Sequence, residues 1–156
     1  MVMTVIDQRS VDAYAAHGDG LIRFATGLVG PSDAQDVAAD AMARLMSSRV
    51  WMEAENPRAL MYRAVLYEAR MLVRSRRRRL SREARAAVRE AYEMPVLAPE
   101  VSAAVAGLSP QQRAVVFLTY WDDLDPRSVA ALLGVTEGTV RKQLNRARGR
   151  LREVLG

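Results

Sequence analysis

No cysteine occurs anywhere in the 156 residues. That absence removes disulfide frameworks, thiol redox chemistry and cysteine-ligated zinc. Histidine is nearly absent as well. His17 stands alone beside glycines, where a turn and an exposed side chain are expected, so a histidine-built metal site or a serine–histidine dyad has no partners. The glycines are scattered rather than gathered into a phosphate-cradling loop. No apolar run approaches the roughly 18 residues of a membrane span. The opening MVMTVIDQRS has no apolar stretch behind positive charge, so neither a secretory leader nor membrane insertion is expected, and the cytoplasm is the expected location. Strand-like alternation and internal repeats are missing too. Carboxylate pairs such as Asp122-Asp123 sit where a turn accounts for them. The expectation is a non-enzyme with no cofactor, no metal and no small-molecule substrate.

What the chain has is arginine. Of its 23 basic residues only Lys142 is a lysine, and they outweigh 18 acidic ones to give a net charge of +5 and a pI near 10.2. The arginines concentrate in two clusters, which points to an anionic partner, most economically nucleic acid. Half of the residues are apolar, enough for a core if helices pair closely.

The strongest local signal is DPRSVAALLGVTEGTVRKQLNRARGRLREV, residues 125–154. Asp125 is a good N-cap, and Pro126 occupies the first helical position, where its missing N–H costs nothing. Val129, Ala130, Leu132 and Leu133 form one apolar face, and Gly134 supplies a left-handed stop. Thr136 caps a second helix with Glu137 in its first turn. Val140, Leu144, Ala147 and Leu151 make an apolar stripe, opposite Gly138, Lys142, Asn145, Arg146 and Gly149, with Arg141, Arg148, Arg150 and Arg152 on the flanks. This is the pattern of a helix-turn-helix, whose second helix suits a major groove; the alternative is a solvated basic helix in a bundle.

Earlier in the chain, helical rhythm runs from about Ser10 to Val29 through Val11, Tyr14, Ala15, Leu21, Ile22, Ala25 and Leu28, with an interruption expected near Gly18 and Gly20. Ser32 and Gln35 spell a capping box for a second helix that buries Val37, Ala41 and Leu45 and shows Asp36, Asp40 and Arg44. Asn56-Pro57 opens a third, with Leu60, Ala64, Tyr67 and Met71 as its stripe and Met61, Val65 and Leu72 beside it. It runs into five arginines between positions 74 and 79, which repel one another and call for a polyanion. Residues from Arg82 to Pro99 read as a linker. A short helix from Pro99 to about Gly107 follows, and then a second capping box, Ser109 with Gln112, ahead of Ala114, Val115, Phe117, Leu118 and Trp121 as packing surface.

Taken together these segments resemble the extracytoplasmic-function sigma factors, group IV of the sigma-70 family of bacterial RNA polymerase. GPSDAQDVAADAMARL and NPRALMYRAV look like two of the family's amino-terminal motifs, and residues 108–152 resemble its carboxy-terminal half end to end. The resemblance implies an all-α chain of two small helical domains on a flexible linker: a sigma2-like bundle over 8–80, a linker over 81–99 and a sigma4-like helix-turn-helix over 100–156. It implies a promoter-specificity subunit partnered by RNA polymerase core, through its clamp helices and flap, by promoter DNA and by an anti-sigma factor or other protein regulator. Asp36, Asp40 and Arg44 would dock on the polymerase. Tyr62, Arg63, Arg70, Arg74, Arg76 and Arg77 would meet the minus-ten element, and Thr136, Thr139, Arg141, Lys142, Asn145 and Arg146 the minus-thirty-five element. Leu66-Tyr67 departs from the family's frequent Arg-Asn pair. A regulator dimerising through its amino-terminal helices, or a sigma-like decoy, would share much of this pattern.

Overall fold

The structure, a computed structural model, describes residues 7–79 and 98–156, and these form eight α-helices with no strand among them. Helix α1 (Gln8–Val29) begins where the Asp7 carboxylate accepts the Ser10 N–H at 2.7 Å, and ends at Gly30, whose N–H reaches Thr26. The expected interruption is absent. Gly18 lies under the Tyr14 ring and Gly20 under the Tyr62 hydroxyl, so both glycines serve close approach rather than chain breaking. His17 consequently sits half-buried in a helix, not exposed in a turn, and burial together with the charge of Arg58 lowers its pKa.

Helix α2 (Ala34–Met46) starts one residue later than its capping-box motif suggests. Asp33 takes the N-cap position without capping, because its carboxylate is turned to Arg76 in a two-pronged pair at 2.7 and 2.9 Å. A single turn, α3 (Arg49–Met52), escaped sequence reading; it is fixed by the fully buried Trp51, whose Nε1–H donates to Ser10 Oγ at 2.9 Å. Helix α4 (Pro57–Arg79) opens with Asn56 Oδ1 accepting the Ala59 N–H. Its buried face is Ala59, Met61, Tyr62, Val65, Leu66 and Ala69, rotated from the expected stripe; Tyr67 is 56% exposed and Met71 also faces out. The rotation follows from its neighbours, since α4 must satisfy α1 and α2 on one side and the helix-turn-helix on another.

The carboxy-terminal half follows its caps closely. Helix α5 (Pro99–Ala106) leads to α6 (Pro110–Tyr120), where Ser109 and Gln112 form the expected capping box in both directions, each bond 3.1 Å. Helices α7 (Pro126–Leu133) and α8 (Glu137–Leu155) complete the chain. The expected linker over 81–99 lies almost wholly outside the described residues, and Pro99 itself starts α5.

The two halves share one core. Phe24 of α1 packs on Tyr62 at 4.9 Å between ring centroids and on Phe117 of α6 at 6.2 Å, and Phe117 also lies against Gly27. Arg113, only 8% exposed, donates to Leu28 O at 2.6 Å, Ala106 O at 2.7 Å and Val105 O at 3.2 Å. It thus closes the ends of α1 and α5 with one guanidinium, sharing Val105 O with the Leu108 N–H and reaching Leu28 O and Ala106 O at helix ends, where the helix itself supplies no donor. Arg113→Met keeps much of the volume and strands the Leu28 and Ala106 carbonyls, so urea unfolding should show a loss of about 2 to 4 kcal/mol; an unchanged midpoint would remove Arg113 from the architecture.

Candidate nucleic-acid interface

The helix-turn-helix is built from its caps. Asp125 accepts the Ser128 N–H at 2.7 Å, Gly134 adopts φ 71° with its N–H on Ala130 O, and Thr136 Oγ1 accepts the Thr139 N–H at 3.1 Å. The Thr136 and Thr139 hydroxyls also bond to each other at 2.9 Å, so both threonines organise the first turn of α8 at the exposed edge of the motif. Val129, Ala130, Leu132 and Leu133 meet Val140, Leu144 and Ala147 in the core. That packing fixes which side of α8 faces outward.

The outward side carries Arg141, Lys142, Asn145 and Arg146, all exposed. Arg141 is held along the helix by Glu137 at 2.7 Å, whereas Arg148 and Arg150 turn back to the Tyr120 hydroxyl and Gly107 O at 2.8 and 2.9 Å. The flanking arginines therefore brace α8 against α6 and α5. What remains is a short row of long donors on a rigid helix, suited to guanine edges and phosphates.

The second basic surface is the distal part of α4. Arg70, Arg74, Arg77 and Arg78, with Val73, line an open cleft of about 530 Å³ whose far wall is Ser109, Pro110 and Gln111 at the start of α6. Arg76 belongs to the same stretch but is engaged by Asp33, which raises its pKa against the opposing effect of burial. Asp36, Asp40 and Arg44 lie exposed along α2, as their spacing implied, with Arg44 reaching Glu68 at 3.0 Å.

Two of the residues expected at the minus-ten element lie on α4 and are engaged within the chain. Tyr62 is 3% exposed and packs on Phe24. Burial raises its pKa, Asp122 adds to the shift, and Arg58 beside the ring works against it. Arg63 donates through Nε to Leu132 O at 3.2 Å and through Nη2 to Ala131 O at 2.9 Å, closing the end of α7. The sequence offers no signal for this, because the acceptors are backbone atoms nearly seventy positions away.

Residues 99–151 match the family model described as Sigma-70, region 4. An RNA polymerase sigma-E factor of Streptomyces antibioticus is 34% identical over 148 residues, covering 88% of this chain and 79% of the relative. A second, from Streptomyces coelicolor, is 33% identical over 147 residues, covering 88% and 80%. The chain belongs to the extracytoplasmic-function sigma factors of the sigma-70 family. Solved structures extend the likeness in fold: the sigma factor RpoE in complex with the anti-sigma factor NepR from Bartonella quintana superposes with a TM-score of 0.62 at 21% identity, over 93% of this chain and 95% of that one. CnrH in complex with the cytosolic domain of CnrY gives 0.62 at 24% identity, over 96% and 89%. This sigma factor is thus a promoter-specificity subunit of RNA polymerase, a family that is not one of enzymes. Among the described residues, no helix is long and apolar enough to cross a membrane.

The cap of the helix-turn-helix has a pH signature. The Ser128 backbone N–H, and then its side chain, hold the Asp125 carboxyl below its ordinary value of 3.8. A depressed folded-state pKa stabilises above the unfolded value, and the effect is lost as pH falls through the folded one. Asp125→Ala should therefore lower the melting temperature at neutral pH, and the gap from wild type should close on acidification below about pH 4. A gap independent of pH would show that the cap does not act through its charge.

Proposed function

We propose that this sigma factor reads the minus-thirty-five element with α8 and meets the minus-ten element with α4. The observation that carries this is the pairing, on one chain, of two basic helical surfaces: the exposed Arg141, Lys142, Asn145 and Arg146 row, and the Arg70, Arg74 and Arg77 tail of α4. Thr136 and Thr139 stand at the phosphate-facing edge of the first surface. Asp36, Asp40 and Arg44 form the polymerase-docking side, toward the clamp helices, while residues 100–156 face the flap. The working units are a sigma2-like part over 8–80 and a sigma4-like part over 100–156, with 81–99 as a flexible linker. The protein acts in the cytoplasm, without catalysis, cofactor or metal. An anti-sigma factor is a fitting regulator, since the sigma factor RpoE, of the same fold, forms a complex with the anti-sigma factor NepR.

Run-off transcription from fragmented genomic DNA with purified polymerase core tests the whole reading. New starts that share a spaced two-part motif are the expected result; no new starts despite core binding would indicate a decoy, and a stable homodimer on a palindrome would indicate an ordinary regulator. On a mapped promoter, Arg146→Ala should cost about 1 to 3 kcal/mol of discrimination between matched and scrambled minus-thirty-five DNA. Arg77→Ala should instead weaken binding to all sequences and reduce the salt slope by about 1. Equal losses on matched and scrambled DNA for Arg146→Ala would remove it from base readout.

A further inference from the structure

The cleft between α4 and the start of α6 sets positive charge against positive charge. Arg70, Arg74, Arg77 and Arg78 recur at three- and four-residue steps along one face of α4, all exposed, and like charges at that spacing repel. Arg76, in the same run, is turned to Asp33 and takes no part. The opposite wall, Ser109, Pro110 and Gln111, is the positive end of α6. Pro110 brings no N–H and the capping box uses those of Ser109 and Gln112, so the Gln111 N–H is the donor of that turn with no acceptor among the described residues. No acidic side chain lines the cleft, and none of its four arginines has an ion pair among the described residues. The negative end of α4 offsets only about half of one charge. The walls are nonetheless held together, because α6 is pinned elsewhere by Arg113 on Leu28 O and by Phe117 against Gly27.

An anion between the walls resolves this arrangement, and the cleft's dimensions say which kind. From Arg70 to Arg78 the helix advances about 12 Å at 1.5 Å per residue. One phosphate cannot reach along that row. The volume, about 530 Å³, lies within the range of small-ligand sites. Arginine forks match phosphate oxygens two at a time, and Val73 and Pro110 add apolar surface on which a sugar or base can rest. We propose that this cleft is a binding site for a linear oligophosphate, free or carried on a nucleoside, with its phosphates laid along the four arginines and against the Gln111 N–H. Arg70, Arg74 and Arg77 are also assigned to the minus-ten strand, so ligand and promoter compete for them. The competition rests on the reading of α4 as the minus-ten helix; the binding does not.

Calorimetric titration of the full-length protein at fixed ionic strength tests the site, with tripolyphosphate, adenosine triphosphate and orthophosphate as probes. One tripolyphosphate should bind per chain, about tenfold more tightly than orthophosphate. Tighter binding of adenosine triphosphate than of tripolyphosphate would identify a nucleoside-borne ligand, and weaker binding a free one. Gln111→Glu puts a carboxylate on the far wall, at a helix position that favours acidic residues. It should abolish tight binding and raise the melting temperature of the ligand-free protein, since it supplies the missing negative charge. Ala15→Glu, exposed on α1 and lining no part of the cleft, changes the net charge equally and should keep tight binding. Several tripolyphosphates per chain, equal affinity for orthophosphate, or no greater loss in Gln111→Glu than in Ala15→Glu overturns the site. Tight binding that fails to displace a single-stranded oligonucleotide carrying the mapped minus-ten element upholds the site and traces the failure to the minus-ten reading of α4.

Discussion

One buried guanidinium, that of Arg113, sets the terms for the rest of the structure. A cation with so little exposure needs its donors answered, and three main-chain carbonyls accept from it. Those carbonyls lie at the ends of α1 and α5, where the helix dipoles are negative and few backbone donors remain. Placing Arg113 therefore places three helices at once: α6, which carries it, and the two that it caps. Phe117, one turn further along α6, then has a single berth, against Gly27 and Phe24. The position of the helix-turn-helix relative to α1 and α4 follows from these two side chains.

What could be read from the sequence was whatever is decided locally. Asp125, Gly134, Thr136 and the Ser109–Gln112 pair act within four residues, and the structure places each as its motif requires. Exposure of Arg141, Lys142, Asn145 and Arg146 followed from the same local pattern, because the stripe of Val140, Leu144 and Ala147 fixes the opposite face. The face of α4 was misread because it has apolar or aromatic residues around much of its circumference. Two stripes were available, and only its neighbours choose between them. Helix α3 is too short to show a period, and the buried Trp51 that anchors it signals nothing from composition. Arg63 and Arg113 were illegible for a different reason: the groups they bind are backbone atoms, which carry no residue-type signature. Asp33 was drawn away from its local cap by a distant arginine, a tertiary pair overriding a sequence rule.

The charge pattern makes sense in the same terms. Arginines that face carbonyls, aromatic rings or a single carboxylate are structural here, as Arg9 over Trp51 and Arg148 at Tyr120 illustrate. Arginines that line the cleft between α4 and the start of α6 have no ion pair with a carboxylate among the described residues. Sorting the basic residues by what they touch separates fold from function more sharply than counting them, and it leaves the α4 tail and the outer face of α8 as the surfaces with unspent charge.

The reciprocal capping of α1 and α7 bears on how such a chain can be recombined. A helix-turn-helix borrowed from a relative brings its own recognition residues, but it must also bring an arginine at the Arg113 position and a glycine at the Gly134 position. Without the first, α1 ends on an unanswered Leu28 carbonyl; without the second, the pocket for Arg63 is filled. The carboxy-terminal half is therefore not a freely exchangeable cartridge, and its compatibility with a given amino-terminal half is written in two residues at the seam, Arg113 and Gly134.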